Sequence, residues 1–232
     1  MAIPTTNVIS PRLDFYPEGY LPESDGKPMA ETDRHRELMI ALLHALKEHF
    51  RDNLKVYVGG NIFIYYRDEA NVMQSVSPDI FVVFGVEKKD RRIYKVEDEG
   101  KTPEVVIELT STNTKVEDLV SKHYIYGKLG VREYFLFDPY SEAIRPTLRG
   151  FRLDGGEYLP LAGSRIRSEV LALDLAAEGD GLRLYDPQTS ERLRTPEEAE
   201  AERRAEKVAR ETAEAEIARL REELAKLQAE KS

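Results

Sequence analysis

Three residues of this sequence combine in a way that suggests hydrolytic chemistry. Asp79 follows Pro78 and precedes the apolar run Ile80-Phe81-Val82-Val83-Phe84; Glu108 lies inside the apolar run Val105-Val106-Ile107-Glu108-Leu109; Lys122 sits in the segment after it. A carboxylate buried without a partner is strongly destabilising, so Glu108 calls for a cation, a metal ion or hydrogen-bond donors. If the two runs pair as neighbouring strands, Asp79 and Glu108 stand side by side at one end of a sheet. Two carboxylates and the main-chain carbonyl of Leu109 then make an all-oxygen donor set suited to Mg²⁺ or Mn²⁺. Such an ion lowers the pKa of a bound water, and a nearby ammonium positions that water or offsets the charge on a phosphorane during in-line attack on a phosphodiester. Lys122 suits that part, because Leu119, Lys122 and Tyr126, at i, i+3 and i+7, share one helical stripe. Plainer readings exist: Asp79 as a strand-entry residue, Lys122 as the partner of Asp118. Glu108 is the hardest of the three to explain without a site.

The elements that must position these residues are legible in outline. Residues 1–30 hold five prolines and two glycines, an irregular lead-in. From Thr32 or Asp33, Leu38, Leu42, Leu43, Leu46 and Phe50 recur at helical spacing, predicting four to five turns with Glu31 and His35 at the start. Two short strands, 55–58 and 61–66, are expected to form a hairpin through Gly59-Gly60, a pair that tolerates positive φ. Residues 80–84 read as a central strand, 87–101 as a polar connection, and 104–110 as a second buried strand. Thr114 to Glu117 fits a capping box opening a helix that runs to about Leu129 and stops at Gly130. Tyr134 to Phe137 is another buried strand, ended by Asp138-Pro139. Short apolar runs from Ile144 to Tyr185 are expected to extend the sheet with antiparallel strands.

Composition narrows the function classes. In 232 residues, 41% are hydrophobic and 33% charged, which describes a packed domain and excludes collagen-like or wholly disordered chains. No run approaches the roughly 20 apolar residues that cross a bilayer. Met1 to Arg12 lacks an apolar signal segment, so neither export nor a membrane is expected, and a cytoplasmic setting fits. With no cysteine, disulfides, thiolate nucleophiles and cysteine-ligated metals are excluded. The net charge of −9 argues against nucleic-acid binding through a global basic surface, leaving local or metal-assisted contact. Lys88-Lys89 and Arg91-Arg92 are the best local phosphate contacts, although their alternation with acids also suits a solvated loop.

The last segment is a different object. Thr195-Pro196-Glu197-Glu198 reads as a helix start with cap, N1 proline and capping-box Glu. Beyond it, Ile217, Leu220, Leu224 and Leu227 follow heptad spacing for a short stretch, compatible with a coiled-coil homodimer or with a lone solvated helix. The expected division is therefore a lead-in (1–30), a core domain (31–194) and a charged helix (195–232).

Taken together, Ser77-Pro78-Asp79-Ile80-Phe81-Val82-Val83, Val106-Ile107-Glu108-Leu109-Thr110-Ser111, Asp118-Leu119 with Lys122 and Tyr126, and Gly130-Val131-Arg132-Glu133-Tyr134 through Asp138-Pro139 resemble the Uma-two family of restriction endonucleases, within the PD-(D/E)XK nuclease superfamily. The resemblance covers roughly Glu31 to Leu153. It implies an α/β, restriction-endonuclease-like core with a mixed sheet flanked by helices, and divalent-metal phosphodiester cleavage in nucleic acid, DNA before RNA. Asp79 matches the superfamily Asp and Glu108 its second acid. The usual Lys two residues after that acid is replaced by Thr110, and Lys122 matches the helix Lys that substitutes for it in this family. The first-helix Glu found in many superfamily members has Glu31 as its nearest counterpart, and His35 faces either the same cleft or a capping or core role. The sequence thus points to a metal-dependent endonuclease with Asp79, Glu108 and Lys122 as catalytic residues. Rival readings are a catalytically degenerate nuclease fold that binds or assembles through the C-terminal helix, and a hydrolase of another phosphate ester.

Overall fold

Thr32 sets the first helix. Its Oγ1 accepts the His35 amide at 3.2 Å, which caps α1 (Asp33–His49), and α1 buries Leu38, Met39, Leu42, Ala45 and Leu46. The computed structural model describes residues 20–23, 32–110 and 117–229. The chain divides into two compact units, 1–193 and 194–232. Glu31, Thr114 and nearly all of the proline-rich lead-in lie outside the described residues.

The first unit is built on a six-stranded mixed sheet, ordered β1 (Val56–Gly59), β4 (Ile80–Phe84), β6 (Val105–Leu109), β7 (Glu133–Phe137), β8 (Leu148–Asp154) and β9 (Glu157–Leu161). All neighbours are antiparallel except β6 and β7, which run parallel. A parallel pair needs a crossover, supplied here by the segment that holds a π-helical turn (Glu117–Lys122) and α3 (His123–Leu129). Gly130, at φ +74°, ends α3 in the left-handed conformation that glycine adopts without a Cβ clash. An uninterrupted α-helix up to Leu129 is thus corrected: its first part is wound wider.

Strand alternation divides the core into two layers. Ile80, Val82, Val105, Ile107, Phe135 and Phe137 face α1 and a second sheet of β10 (Arg165–Ser168), β11 (Leu173–Glu178) and β12 (Gly181–Tyr185). Phe81, Val83, Val106, Tyr134 and Leu136 face α3 and a third sheet, in which β2 (Ile64–Arg67) lies between β3 (Met73–Val76) and β5 (Tyr94–Lys95). Because both faces are covered, β4, β6 and β7 read as nearly continuous apolar runs, with the buried acids Glu108 and Glu133 as the exceptions. Of the expected antiparallel extension, β8 and β9 do extend the main sheet. Residues 165–185 instead fold onto the α1 side as a sheet of their own.

Gly59-Gly60 is not a hairpin turn. β1 pairs with β4, whereas β2 pairs with β3 and β5. The left-handed residue here is Asn61, at φ 54°. Gly60 is needed for close approach, since a Cβ there would lie 2.3 Å from the main-chain oxygen of Asp79, and the Asn61 amide bonds the Pro78 carbonyl at 3.0 Å. The polar connection is also more ordered than its composition suggests: it contains β5 and the short α2 (Val96–Glu99), tied down by Arg91 bonding both oxygens of Glu99 at 2.8 Å.

In the second unit, α4 (Pro196–Ala229) starts with the expected capping box: Thr195 N–H donates to Glu198 Oε2 at 3.0 Å and Glu198 N–H to Thr195 Oγ1 at 3.3 Å.

Gly60→Ala should therefore destabilise the protein by about 1–3 kcal/mol, the usual range for a side chain forced into filled space. Denaturant unfolding reads this directly, and wild-type stability in the variant would show that the turn moves aside without cost.

Candidate active site

The register of β4 and β6, with Ile80 opposite Ile107, brings Asp79 and Glu108 together where the two strands meet at one sheet end. Their contact is direct. Asp79 N–H donates to Glu108 Oε2 at 3.3 Å, and Leu109 N–H donates to Asp79 Oδ2 at 2.7 Å. Glu108 belongs to the sheet face toward α3 and is 1% exposed. Two side chains from the crossover meet it: Lys122 Nζ lies 3.0 Å from Oε2, and Tyr126 OH donates to Oε1 at 2.5 Å. Lys122, at the end of the π-helical turn, and Tyr126, about one turn into α3, thus share one side of the crossover. The acid that Lys122 meets across the fold is Glu108; the Asp118 side chain lies outside the described residues.

Asp79 is supported from the opposite layer. His35, in the first turn of α1, places Nε2 3.1 Å from Oδ1. An ionised carboxylate only accepts, so Nε2 carries the proton and donates. Burial pushes the Asp79 pKa up, but the His35 bond, the Lys122 and His35 charges and the Leu109 amide outweigh it and hold the carboxyl below the ordinary aspartate value. Tyr126 is driven the other way, well above the usual tyrosine range, by burial first and then by the charge of Glu108. It remains a protonated donor.

A further set of residues fixes α1 and was not evident from the sequence. Asp138 is buried and accepts the amides of Tyr140, Ala143 and Ile144 at 3.0, 2.6 and 3.0 Å. Tyr140 OH then donates to Thr32 Oγ1 at 2.9 Å, the same oxygen that caps His35. An Asp followed two residues later by an amide it can bond is an Asx-turn pattern, and here it coincides with the end of β7. Thr110, where the superfamily Lys would stand, is buried, and its amide bonds Phe137 O at 2.8 Å.

His123 follows Lys122 in sequence but belongs to the core. It packs on Phe151, Tyr158 and Tyr134 with ring centroids 4.9, 4.8 and 6.0 Å away, and burial lowers its pKa.

The donor chemistry fits a hard divalent cation. Mg²⁺ is held by one or two carboxylates while keeping several waters, and a ligand must be deprotonated, as Asp79 is favoured to be. Among the described residues no group of three or more Asp, Glu or His side chains is gathered for a metal.

A mixed sheet thus carries two adjoining acids at one end, one of them held by a lysine from the crossover. Residues 14–182 match the model of the Uma2 family, described as "putative restriction endonuclease", and the chain belongs to that family. It is similar to the crystal structure of a "putative nuclease belonging to DUF820" from Anabaena variabilis ATCC 29413, with 17% identity, a TM-score of 0.48, and coverage of 66% of this chain and 87% of the other. No curated protein matches it. Among the described residues, no helix is long and apolar enough to cross a membrane.

The depressed His123 pKa gives a pH signature. The unfolded chain takes up this proton near 6.5 and the folded one at lower pH, so stability is fully present above 6.5 and declines as pH falls toward the folded value. His123→Phe should flatten that part of the stability-versus-pH curve in chemical unfolding, and an identical slope in the variant would assign the loss to other groups.

Proposed function

We propose that this chain is an endonuclease that hydrolyses phosphodiester bonds in nucleic acid, DNA before RNA, in the cytoplasm, with Mg²⁺ or Mn²⁺ as its cofactor. One observation carries the reading: Asp79 and Glu108 touch at one sheet end, and Lys122 lies on the shared side of the pair, 3.0 Å from Glu108 Oε2. Asp79, Glu108 and the main-chain carbonyl of Leu109 are the groups that would hold the ion. When bound, it supplies a Lewis acid for phosphoryl oxygen and an acidified water as nucleophile.

The chain's own residues do the rest. Lys122, whose side chain is 14% exposed, reaches the edge of the site and offers its ammonium to a phosphoryl oxygen as negative charge grows there. His35 and the Leu109 amide orient Asp79 and keep it anionic. Tyr126 holds the second oxygen of Glu108, so that this acid turns Oε2 toward Asp79. His35 and Tyr126 are positioning residues in this scheme; Asp79, Glu108 and Lys122 are catalytic.

Cleavage of plasmid, single-stranded DNA and RNA, measured with and without each metal, tests it. Asp79→Ala should abolish a metal-dependent activity, and Lys122→Met should lower turnover about 10²- to 10³-fold while the protein still binds metal. Cleavage at the wild-type rate by Asp79→Ala would remove the reading; the same result for Lys122→Met would remove that residue alone.

We also propose that α4 pairs with α4 of a second copy. Ile217 and Leu220, 49% and 50% exposed, lie one helical turn apart on a helix otherwise rich in charged residues and alanine, and a matching stripe would cover them. The Leu224 and Leu227 side chains lie outside the described residues. Replacing both Ile217 and Leu220 with Glu should reduce the mass seen in light scattering to that of one chain, whereas an unchanged mass would leave α4 as a solvated helix.

A further inference from the structure

The outer edge of β1 borders a groove of about 700 Å³, bounded by the C-terminal half of α1 and by the loop of residues 87–92. We propose that this groove is a track for the phosphodiester backbone of a nucleic-acid substrate, leading it to Asp79; the proposal rests on the nuclease reading above.

Charge is the first ground. The chain carries −9 overall, yet this one groove is lined by Lys47, Arg51, Lys88 and Lys89 against two acids, Glu48 and Asp90; Arg51 lies 3.7 Å from Glu48 and Lys89 lies 3.5 Å from Glu99. Neither Lys47 nor Lys88 has a carboxylate within ion-pair distance among the described residues, in a protein with 43 acids. A local excess of cations on an acidic protein suits a polyanion.

Construction is the second. Arg91 is not available to a ligand: its guanidinium is 3% exposed, lies 4.2 Å from the centre of the Tyr57 ring and bonds both oxygens of Glu99. It serves as an anchor for the loop that carries Lys88 and Lys89. Backbone bonds from Gly85 N–H to Lys55 O and from Lys88 N–H to Leu54 O, at 2.7 and 3.1 Å, fasten the same loop to the entry of β1. Lys88 Nζ also donates to the Arg51 carbonyl at 3.2 Å, so the loop and the turn after α1 are fastened to each other, with little ordering left to do on binding.

Continuity with the acids is the third. The floor of the groove is β1, and its far end is Gly59-Gly60, where Gly60 abuts the main-chain oxygen of Asp79. Four strand residues span about 13 Å, which matches the rise of about four nucleotides of one DNA strand. A backbone held by the loop lysines would thus reach Asp79 within a few phosphates. Contacts of this kind set register and orientation and carry no base sequence.

The test uses the full-length protein in EDTA, where metal-dependent cleavage is blocked, and measures binding of a short labelled duplex by fluorescence anisotropy at several salt concentrations. Lys88→Glu with Lys89→Glu should weaken binding about tenfold or more and make the salt dependence shallower by about two, near 0.9 per lost phosphate contact. Lys207→Glu with Arg210→Glu on α4, which changes net charge equally, should bind as wild type does. Equal affinity and slope in the loop variant, or equal weakening in the α4 variant, overturns the track, as does polyglutamate binding as tightly as DNA. If wild type cuts DNA and the loop variant binds normally, the track falls and the nuclease reading stands. If the loop variant loses binding but wild type never cuts with any metal, the track stands as a nucleic-acid surface and the nuclease reading falls. Wild-type protein that neither binds nor cuts removes both.

Discussion

Everything at the candidate site follows from the burial of one charge. Glu108 occupies a position in β6 that alternation would otherwise fill with an aliphatic side chain, and it is 1% exposed. Removing a carboxylate from water is tolerated only where donors or cations replace the lost hydration. Both oxygens are accordingly met: Oε1 by Tyr126, Oε2 by Lys122 and by the Asp79 amide. The crossover between β6 and β7 therefore has a second task beyond connecting parallel strands, because its side chains compensate this acid.

The two layers of the core divide the work. The α3 layer serves Glu108 through Lys122 and Tyr126; the α1 layer serves Asp79 through His35. A sheet end is a place where side chains from both layers can meet without crossing the strands. The bond from Tyr140 to Thr32 then ties the start of α1 to the loop ordered by Asp138, so the orientation of His35 depends on a segment more than 100 residues away. A second buried acid, Glu133, does the equivalent structural task elsewhere: it accepts from Ser168, from the Glu169 amide at 2.9 Å and from Arg152 at 3.0 Å, joining β7 and β8 to the end of β10.

The sequence made the buried strands, α1 and the start of α4 legible because each has a local signature: apolar runs, a 3.6-residue repeat, and a Thr-Pro-Glu-Glu cap. The adjacency of Asp79 and Glu108 was legible too, since two fully apolar runs each flanked or interrupted by an acid leave few other pairings. What was not legible depended on long-range contact. Gly59-Gly60 has the composition of a hairpin, but its glycines answer to Phe81 and to the Asp79 backbone, which no local rule contains. Residues 165–185 alternate as an extension of the main sheet would, and only packing against α1 decides that they form another. The order in residues 87–101 rests on Arg91 gripping Glu99 and Tyr57, again a tertiary effect on polar residues. Asp79 and Glu108 stand side by side as their positions in the two runs suggested; His35 entered the geometry on equal terms with Lys122, although a single histidine near a helix start reads as readily as a cap.

The scattered origin of the site has a consequence for how the protein comes into being. His35, Asp79, Glu108 and Lys122 span nearly 90 positions, and the last of them arrives only with the parallel crossover, the slowest kind of strand connection to form because the loop must close before pairing rewards it. Until that step, Glu108 lacks its lysine and tyrosine, and ionising it in an apolar strand is unfavourable. A chain still emerging from the ribosome, or one cut before residue 122, therefore cannot present the acid pair as a competent unit. Assembly of the four-residue cluster is thereby withheld from such incomplete forms by topology alone.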